Sequence, residues 1–495
     1  MGGTHLTVGV VGISAFGAYI PRLRVGRAEI AAAHAWMSPS LEARARGERS
    51  ICGADEDTVT MAVESARDAL IDVSRENIGA LYLGTTTAPF ADRLNSAIVA
   101  AALRLRDDAA SADITGSLRA ALQALDAGAS HVRAHCTMAL CVGSDRRRTA
   151  PASALEMSTG HAAAAVLLAP GPGVAELLGS ARLTVDFVDH FRGEGSEFDY
   201  TWEDRWTRDE GYLKIIPPVV SAALADAGVG PGQVARFCLP APFARVDRAV
   251  AARVGIAAEN VQDSLDGDCG DSGAAHPILL LVAALEEAMP GQVIVCAGFG
   301  QGAQAFVLKV TDAITDYRSL GTGTRRWRSR RVSCSYPRYL ALHDLLAVDR
   351  GIRAESDKGT ALTAAYRHRD LLNELTGGRC RRCGTCQIPR ARMCANPDCR
   401  AVDSQDPHCF ADSKARVVSW SADQLTYTPD PPAYYGMVDF EEGGRLMMDF
   451  ADTVDGSLEV GAEMRMVFRA KDFDARRGFT RYFWKAAPAV APTEA

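Results

Sequence analysis

The chain has 495 residues, 47% hydrophobic and 23% charged, with a formal charge of −7 and a pI near 5.9. That length implies two or three domains, and the acidic balance argues against a general nucleic-acid binder. No apolar run reaches the ~18 residues of a membrane span, and the N-terminus lacks the basic and apolar regions of a secretion signal, so the cytoplasm is the simplest address. The Met1-Gly2 start fits the myristoylation pattern poorly because Gly3 follows.

Residues 8–13 are β-rich, 57–71 carry apolar side chains at helical spacing, and 81–84 are strand-like. Residues 95–105 and 117–126 read as helices, and 132–142 and 162–168 as apolar runs. This alternation implies a mainly parallel sheet with helices on its faces. The pattern then recurs: helices at 215–227, 245–254 and 276–288, strands at 234–239, 293–297 and 305–310. Two comparable α/β halves, 1–170 and 171–312, are consistent with an internal duplication.

A polar, Arg-rich linker follows at 313–375, with a helix at 361–375. Its basic run, 325–331, reads either as a phosphate site for a coenzyme A or as a solvated linker. The linker is preferred, because charge runs are usually surface. Beyond 404, strands at 415–420, 434–440, 445–450 and 463–470 are separated by turns at Glu442-Gly443-Gly444 and Asp455-Gly456. Short strands with glycine turns imply a small barrel such as an OB fold over 404–488. Asp439, Glu441, Glu442 and Asp449 replace the basic-aromatic stripe of an oligonucleotide binder.

Five of the 13 cysteines fall between 380 and 399, and the other eight read as free thiols of a reducing compartment. Cys380 and Cys383 form a C-x2-C, and Cys394 and Cys399 a C-x4-C. Two such knuckles place four thiolates around a tetrahedral Zn²⁺, here within a zinc ribbon at 376–403. With all four positions filled by protein, the metal is structural. Cys386 matches neither knuckle and reads as a bystander; a redox C-x-x-C would leave the second knuckle unexplained.

Several segments resemble the hydroxymethylglutaryl-CoA synthase-like branch of the thiolase superfamily: 12–21, Asp55-Glu56-Asp57-Thr58, 143–147, 208–212 and 298–303. Residues 378–385 are similar to the start of the zinc-ribbon/OB domains that accompany some thiolase-like enzymes. The resemblance implies a duplicated αβαβα fold, a site buried between the halves, a homodimer and an acyl-CoA substrate. It also implies a cysteine thiolate at a helix N-terminus, a histidine and an acid.

This sequence departs from that set. The best register puts Leu118 at the cysteine, and a one-residue slip brings up Ser117. Thr86 stands at the acid, no histidine occurs in 237–242, and Asp271 replaces an asparagine of a glycine turn. Asp271 and His276 remain as an acid–base pair that could move a proton beside a carbonyl. They also read as a helix cap and a buried first-turn histidine. Ser117, Thr115 and Thr86 are hydroxyls near the expected nucleophile. Gly300 and Gly302 allow close backbone approach to a thioester. By resemblance, His190 and Tyr200 belong to an insertion bordering the acyl pocket.

Three functions follow. One is an acyl-CoA enzyme that makes or breaks a C–C bond without an acyl-cysteine, as in aldol chemistry. The second is a condensing enzyme or acyltransferase of secondary metabolism using Ser117 or direct transfer. The third is a non-catalytic acyl-CoA-binding subunit.

Overall fold

The protein is described by a computed structural model over residues 9–355, 359, 361–453, 456 and 458–489. The Met1-Gly2 start, the first residue of the strand expected at 8 and Asp455 of the expected turn lie outside these residues.

The body is built on nine strands: β1 (Val11–Tyr19), β2 (Ile78–Gly84), β3 (Ala110–Ile114), β4 (Met138–Asp145), β5 (Ala162–Pro170), β6 (Ala175–Thr184), β7 (Val234–Cys238), β8 (Val293–Phe299) and β9 (Gly302–Val310). Their order is β7-β8-β9-β6-β1-β5-β4-β2-β3. The two half-sheets touch only at Gly12↔Glu176 and Ile13↔Ala175, between β1 and β6.

Four helices complete the layers: α1 (Thr58–Ala69), α2 (Ala120–His135), α3 (Leu213–Asp226) and α4 (His276–Glu287). α1 packs outside β1, β5 and β4, and α3 outside β6 and β9. Between the half-sheets α2 meets β2 and β4 while α4 meets β5 and β8, giving five αβαβα layers. Burial on both sides explains the nearly all-apolar α4, His276–Glu286 being buried throughout.

The expectation of a mainly parallel sheet is corrected. Only β7–β8, β2–β3 and β2–β4 are parallel. The other five neighbouring pairs are antiparallel. Parallel neighbours need long crossovers, whereas Gly300 and Gln301 alone link β8 to β9.

The basic run at 325–331 is only partly solvated: Trp327 is buried, while Arg325 and Arg331 stay exposed. Arg325, Arg326, Arg328, Arg330 and Arg331 pair with Glu287, Asp68, Asp268, Asp452 and Glu48. Trp327 lies 3% exposed against Tyr19, ring centroids 4.7 Å apart. The run is a strap across the body, its cations already committed to carboxylates.

A three-stranded ribbon follows, with β10 (Thr376–Cys380) between β11 (Cys386–Gln387) and β12 (Gln405–Cys409). The C-terminal sheet has β13 (Ala415–Asp423), β14 (Ala433–Phe440), β15 (Arg445–Asp449), β16 (Glu463–Asp474) and β17 (Phe479–Pro488), in the order β15-β14-β13-β16-β17. A Phe450↔Ala486 bridge brings its two edges together, as a five-stranded OB barrel requires.

The barrel docks on Asp55–Asp57. Lys485 reaches Asp55 at 2.8 Å, and Arg469 and Tyr19 converge on Glu56. Tyr482 donates to Asp57 Oδ2 at 2.6 Å. The other Asp57 oxygen accepts from Thr60 N–H, forming the capping box of α1.

Candidate active site

The head of α2 sits where the half-sheets converge. A Cβ on Gly84 would lie 2.5 Å from Ala121 N, and one on Gly143 would lie 2.7 Å from the Ala121 Cβ. These bare strand positions let the first turn of α2 enter the junction. Ser117, Leu118 and Arg119 stand just before that turn.

Ser117 Oγ donates to the Gly300 carbonyl at 2.8 Å. Arg119, 4% exposed, donates Nε to the same carbonyl at 2.7 Å and Nη2 to Gln301 O at 3.1 Å. Burial lowers its pKa, and carbonyl dipoles take the place of a carboxylate partner. A cation at a helix N-terminus opposes the helix dipole, and this convergence of acceptors offsets that cost. The Gly300 N–H is itself donated to Gly302 O at 3.0 Å. Leu118 is half-buried and Thr115 exposed.

Asp145, fully buried at the end of β4, accepts from Thr85 Oγ1 at 2.8 Å, Thr86 N at 2.7 Å, Thr86 Oγ1 at 2.9 Å, Thr87 Oγ1 at 2.9 Å and Ala274 N at 2.8 Å. One carboxylate thus ties the ends of β2 and β4 to the turn before α4. Beside it Arg147 pairs with Asp199 at 2.5 Å, and Arg192 holds the other Asp199 oxygen at 2.8 Å. Arg192 also donates to the Thr86 carbonyl, fastening the 190–201 insertion to the site. Burial pushes the Asp199 carboxyl up, but Arg147 and Arg192 hold it below its ordinary range.

Asp271 Oδ1 accepts from Gly273 N at 2.8 Å, at the turn leading into α4. His276, 2% exposed, faces Ser264 O through Nε2 at 2.9 Å and Ser272 N through Nδ1 at 3.2 Å. Both side chains therefore have partners other than each other. In the insertion His190 Nδ1 lies 2.8 Å from Asp189, and the exposed Tyr200 packs on Phe191 at 5.2 Å.

Sequence reasoning passed over Arg119, Asp145, Arg147, Asp199 and a buried imidazole pair. Asp145 and Arg147 lay inside the 143–147 segment, and hydroxyl-rich Thr85–Thr87 was the local hint of an acceptor nearby. His161 and His343, ring centroids 5.4 Å apart, bracket Cys52: His161 Nδ1 accepts its N–H and His343 Nε2 meets its carbonyl. Burial is the largest cause lowering both histidines well below their ordinary range. Burial also raises the thiols of Cys52, Cys141 and Cys238, and pushes those of Cys269 and Cys296 up to about 12.

In the ribbon the four knuckle sulfurs gather within 4.8 Å of one another, with Cys380–Cys399 at 3.9 Å and Cys383–Cys394 at 3.5 Å. Ser404 and neighbouring backbone N–H groups lower the Cys380 thiol to about 6. Four converging thiols are a donor set that fits Zn²⁺.

Residues 224–310 match the family described as 3-oxoacyl-(acyl-carrier-protein) synthase III C terminal, and residues 411–469 the ChsH2 C-terminal OB-fold domain. The chain is 30% identical over 343 residues to the hydroxymethylglutaryl-CoA synthase of Aeropyrum pernix, covering 68% of this chain and 95% of that one. With the synthase of Methanopyrus kandleri it shares 29% over 336 residues, 66% and 96% of the two chains. The crystal structure of a hydroxymethylglutaryl-CoA synthase complexed with CoA superposes with a TM-score of 0.60 at 19% identity, covering 70% of this chain and 92% of that one. The 3-oxoacyl-(acyl carrier protein) synthase III of Pseudomonas aeruginosa gives 0.54 at 23%, covering 61% and 98%. These superpositions bear on the fold.

Proposed function

The chain belongs to the hydroxymethylglutaryl-CoA synthase family, and from that premise we propose an acyl-CoA-dependent enzyme that makes or breaks a C–C bond beside a thioester without a cysteine nucleophile. The observation that carries this reading is the head of α2, where Ser117, Leu118 and buried Arg119 meet the Gly300 loop beside Asp145. Aldol, retro-aldol and Claisen steps share an enolate whose negative charge must be held. The N-terminus of α2 and the Arg119 cation supply positive potential there. Ser117 and Thr86 are the hydroxyls positioned to orient a substrate once their present acceptors are exchanged for it. Asp271 and His276, at the turn into α4, are our candidates for moving the proton.

A second reading, a non-catalytic acyl-CoA-binding subunit, is favoured by one specific pattern. Ser117, Thr86, Asp271, His276 and the Gly300 N–H are all engaged in internal hydrogen bonds. We further propose a structural Zn²⁺ on Cys380, Cys383, Cys394 and Cys399, a cytoplasmic homodimer and no nucleic-acid partner. The zinc would hold the ribbon knuckles together and, with four thiolates, would leave no coordination position for substrate. Among the described residues, strand β3 has only β2 beside it in the sheet, an edge that supports self-association.

Incubation with acetyl-CoA and longer acyl-CoAs, followed by thioester assay and intact-protein mass spectrometry, separates these readings. Thioester consumption with no covalent adduct is the expected result. An adduct on Ser117 would make the protein an acyltransferase, and binding without turnover would establish the subunit reading.

A further inference from the structure

We propose that Cys386, His408 and Glu442 form a second divalent transition-metal site of the zinc class, joining the ribbon to the barrel. Each residue comes from a different segment: Cys386 from β11, His408 from β12 and Glu442 from the turn between β14 and β15. Their ligand atoms lie within 4.8 Å of one another. Pairing places the first two together, because Cys386 stands opposite Arg379 and His408 opposite Gly377. Residues 377 and 379 share a face of β10, so their partners share it too. The turn at 440–444, closed by Gly443 N to Phe440 O at 2.9 Å and Phe440 N to Gly444 O at 3.0 Å, brings Glu442 over that face.

The polar groups in this cluster are poorly satisfied by one another. His408 Nε2 is buried and makes no hydrogen bond, although Glu442 Oε2 is only 2.6 Å away. The two are close without the alignment an N–H···O bond requires. Cys386 Sγ, in a residue 5% exposed, has only a 3.8 Å contact to Gly384 O. The His408 ring is held edge-on to Phe410, centroids 4.9 Å apart at 87°. A metal accepting one lone pair from each group would satisfy all three.

One thiolate, one imidazole and one carboxylate form a borderline-soft donor set that suits Zn²⁺ and leaves a fourth position for water. Tetrahedral bonds of about 2.0 Å to nitrogen and oxygen separate those atoms by about 3.3 Å. Glu442, whose side chain is 53% exposed, would swing back by about 0.7 Å to accommodate that geometry. This site is separate from the four-cysteine cluster, and its ligands span two domains.

The test is metal counting on the full chain saturated with Zn²⁺ and freed of excess, with Co²⁺ replacement as the spectroscopic probe. Two zinc ions per chain are expected, falling to one in both His408→Ala and Cys386→Ser. Those variants should keep the intense Co²⁺ charge-transfer absorption of the four-thiolate site. One zinc per wild-type chain, with that same absorption present, overturns the proposal. So does a count of two that neither substitution lowers. The wild-type count stands even if a variant fails to fold.

Discussion

The guanidinium of Arg469, on barrel strand β16, lies 3.4 Å from the Glu56 carboxylate of the α/β body, and both residues are buried. Arg469 also donates to Tyr19 Oη at 2.9 Å and pairs with Asp452 at 3.2 Å. Burial tends to raise the Asp452 carboxyl, yet Arg469, Arg330 and Arg22 hold it far below its ordinary range. One barrel side chain therefore neutralises acids from two domains.

Arg469→Met leaves buried Glu56 without its cation while Asp452 keeps Arg22 and Arg330, at a cost of about 3–5 kcal/mol. Denaturant unfolding of the full chain should register that loss, with the barrel becoming the first proteolysed region. Adding Glu56→Gln should recover part of it; strictly additive losses would show that the pair is uncoupled.

Burial raises the Asp68 carboxyl to about 6, against the opposing influence of Arg326 at 3.1 Å. A carboxyl with its folded pKa above its unfolded value binds a proton more tightly when folded. Its contribution to stability therefore rises as pH falls from 7 through 6 and levels off near the unfolded value of about 4. Asp68→Asn should flatten the melting-temperature profile across that window, removing a gain of about 3 kcal/mol. An unchanged slope would assign the pH dependence elsewhere.

Asp145→Ala leaves three threonine hydroxyls and two backbone N–H groups without their acceptor. Each buried orphan costs about 1–3 kcal/mol, so severe destabilisation is expected in thermal melts. Thr86→Val removes a single bond to a charged group, worth about 1.5–3 kcal/mol. If Thr86 orients substrate, acyl-CoA turnover should fall at least tenfold in that variant while it remains folded at the assay temperature.

Iodoacetamide at pH 8 should alkylate exposed Cys136 and leave Cys52, Cys238, Cys269 and Cys296 unmodified, as peptide mapping will read. Rapid labelling of any of those four would reveal a thiolate and undermine the cysteine-free mechanism.

Cys394→Ser should remove at least one zinc per chain and open residues 376–409 to protease while the α/β body melts as before. Two cores of the body contain no ribbon residue, one of them built from 187–307, whereas the ribbon contributes only Cys386 and Ile388 as buried residues to a core shared by body and barrel and is too small to fold on apolar burial alone.

Element positions were largely legible locally. Apolar spacing at 57–71 marked α1, and the run at 276–288 marked α4, since helical periodicity survives in any environment. Helix α2 was harder to delimit: 117–126 captured its start, but 132–142 merged its last turn with β4, because both bury apolar side chains. The expected helix at 361–375 is two short ones, Leu362–Arg367 and Arg369–Glu374.

The sequence by itself determined the two α/β halves, the ribbon knuckles and the strand-rich C-terminus, because period and cysteine spacing are properties of neighbouring residues. Tertiary structure alone decided that five of eight strand pairs run antiparallel, that the 325–331 cations meet carboxylates, and that Asp55–Asp57 receives the barrel. It also brought Arg119 to Gly300 and Asp145 to Ala274, and placed Cys386 beside His408 and Glu442. Those partners are up to several hundred residues apart, and local propensity carries no record of which distant group a buried charge will meet. Folding selects them because a buried charge or donor is costly until it finds a partner.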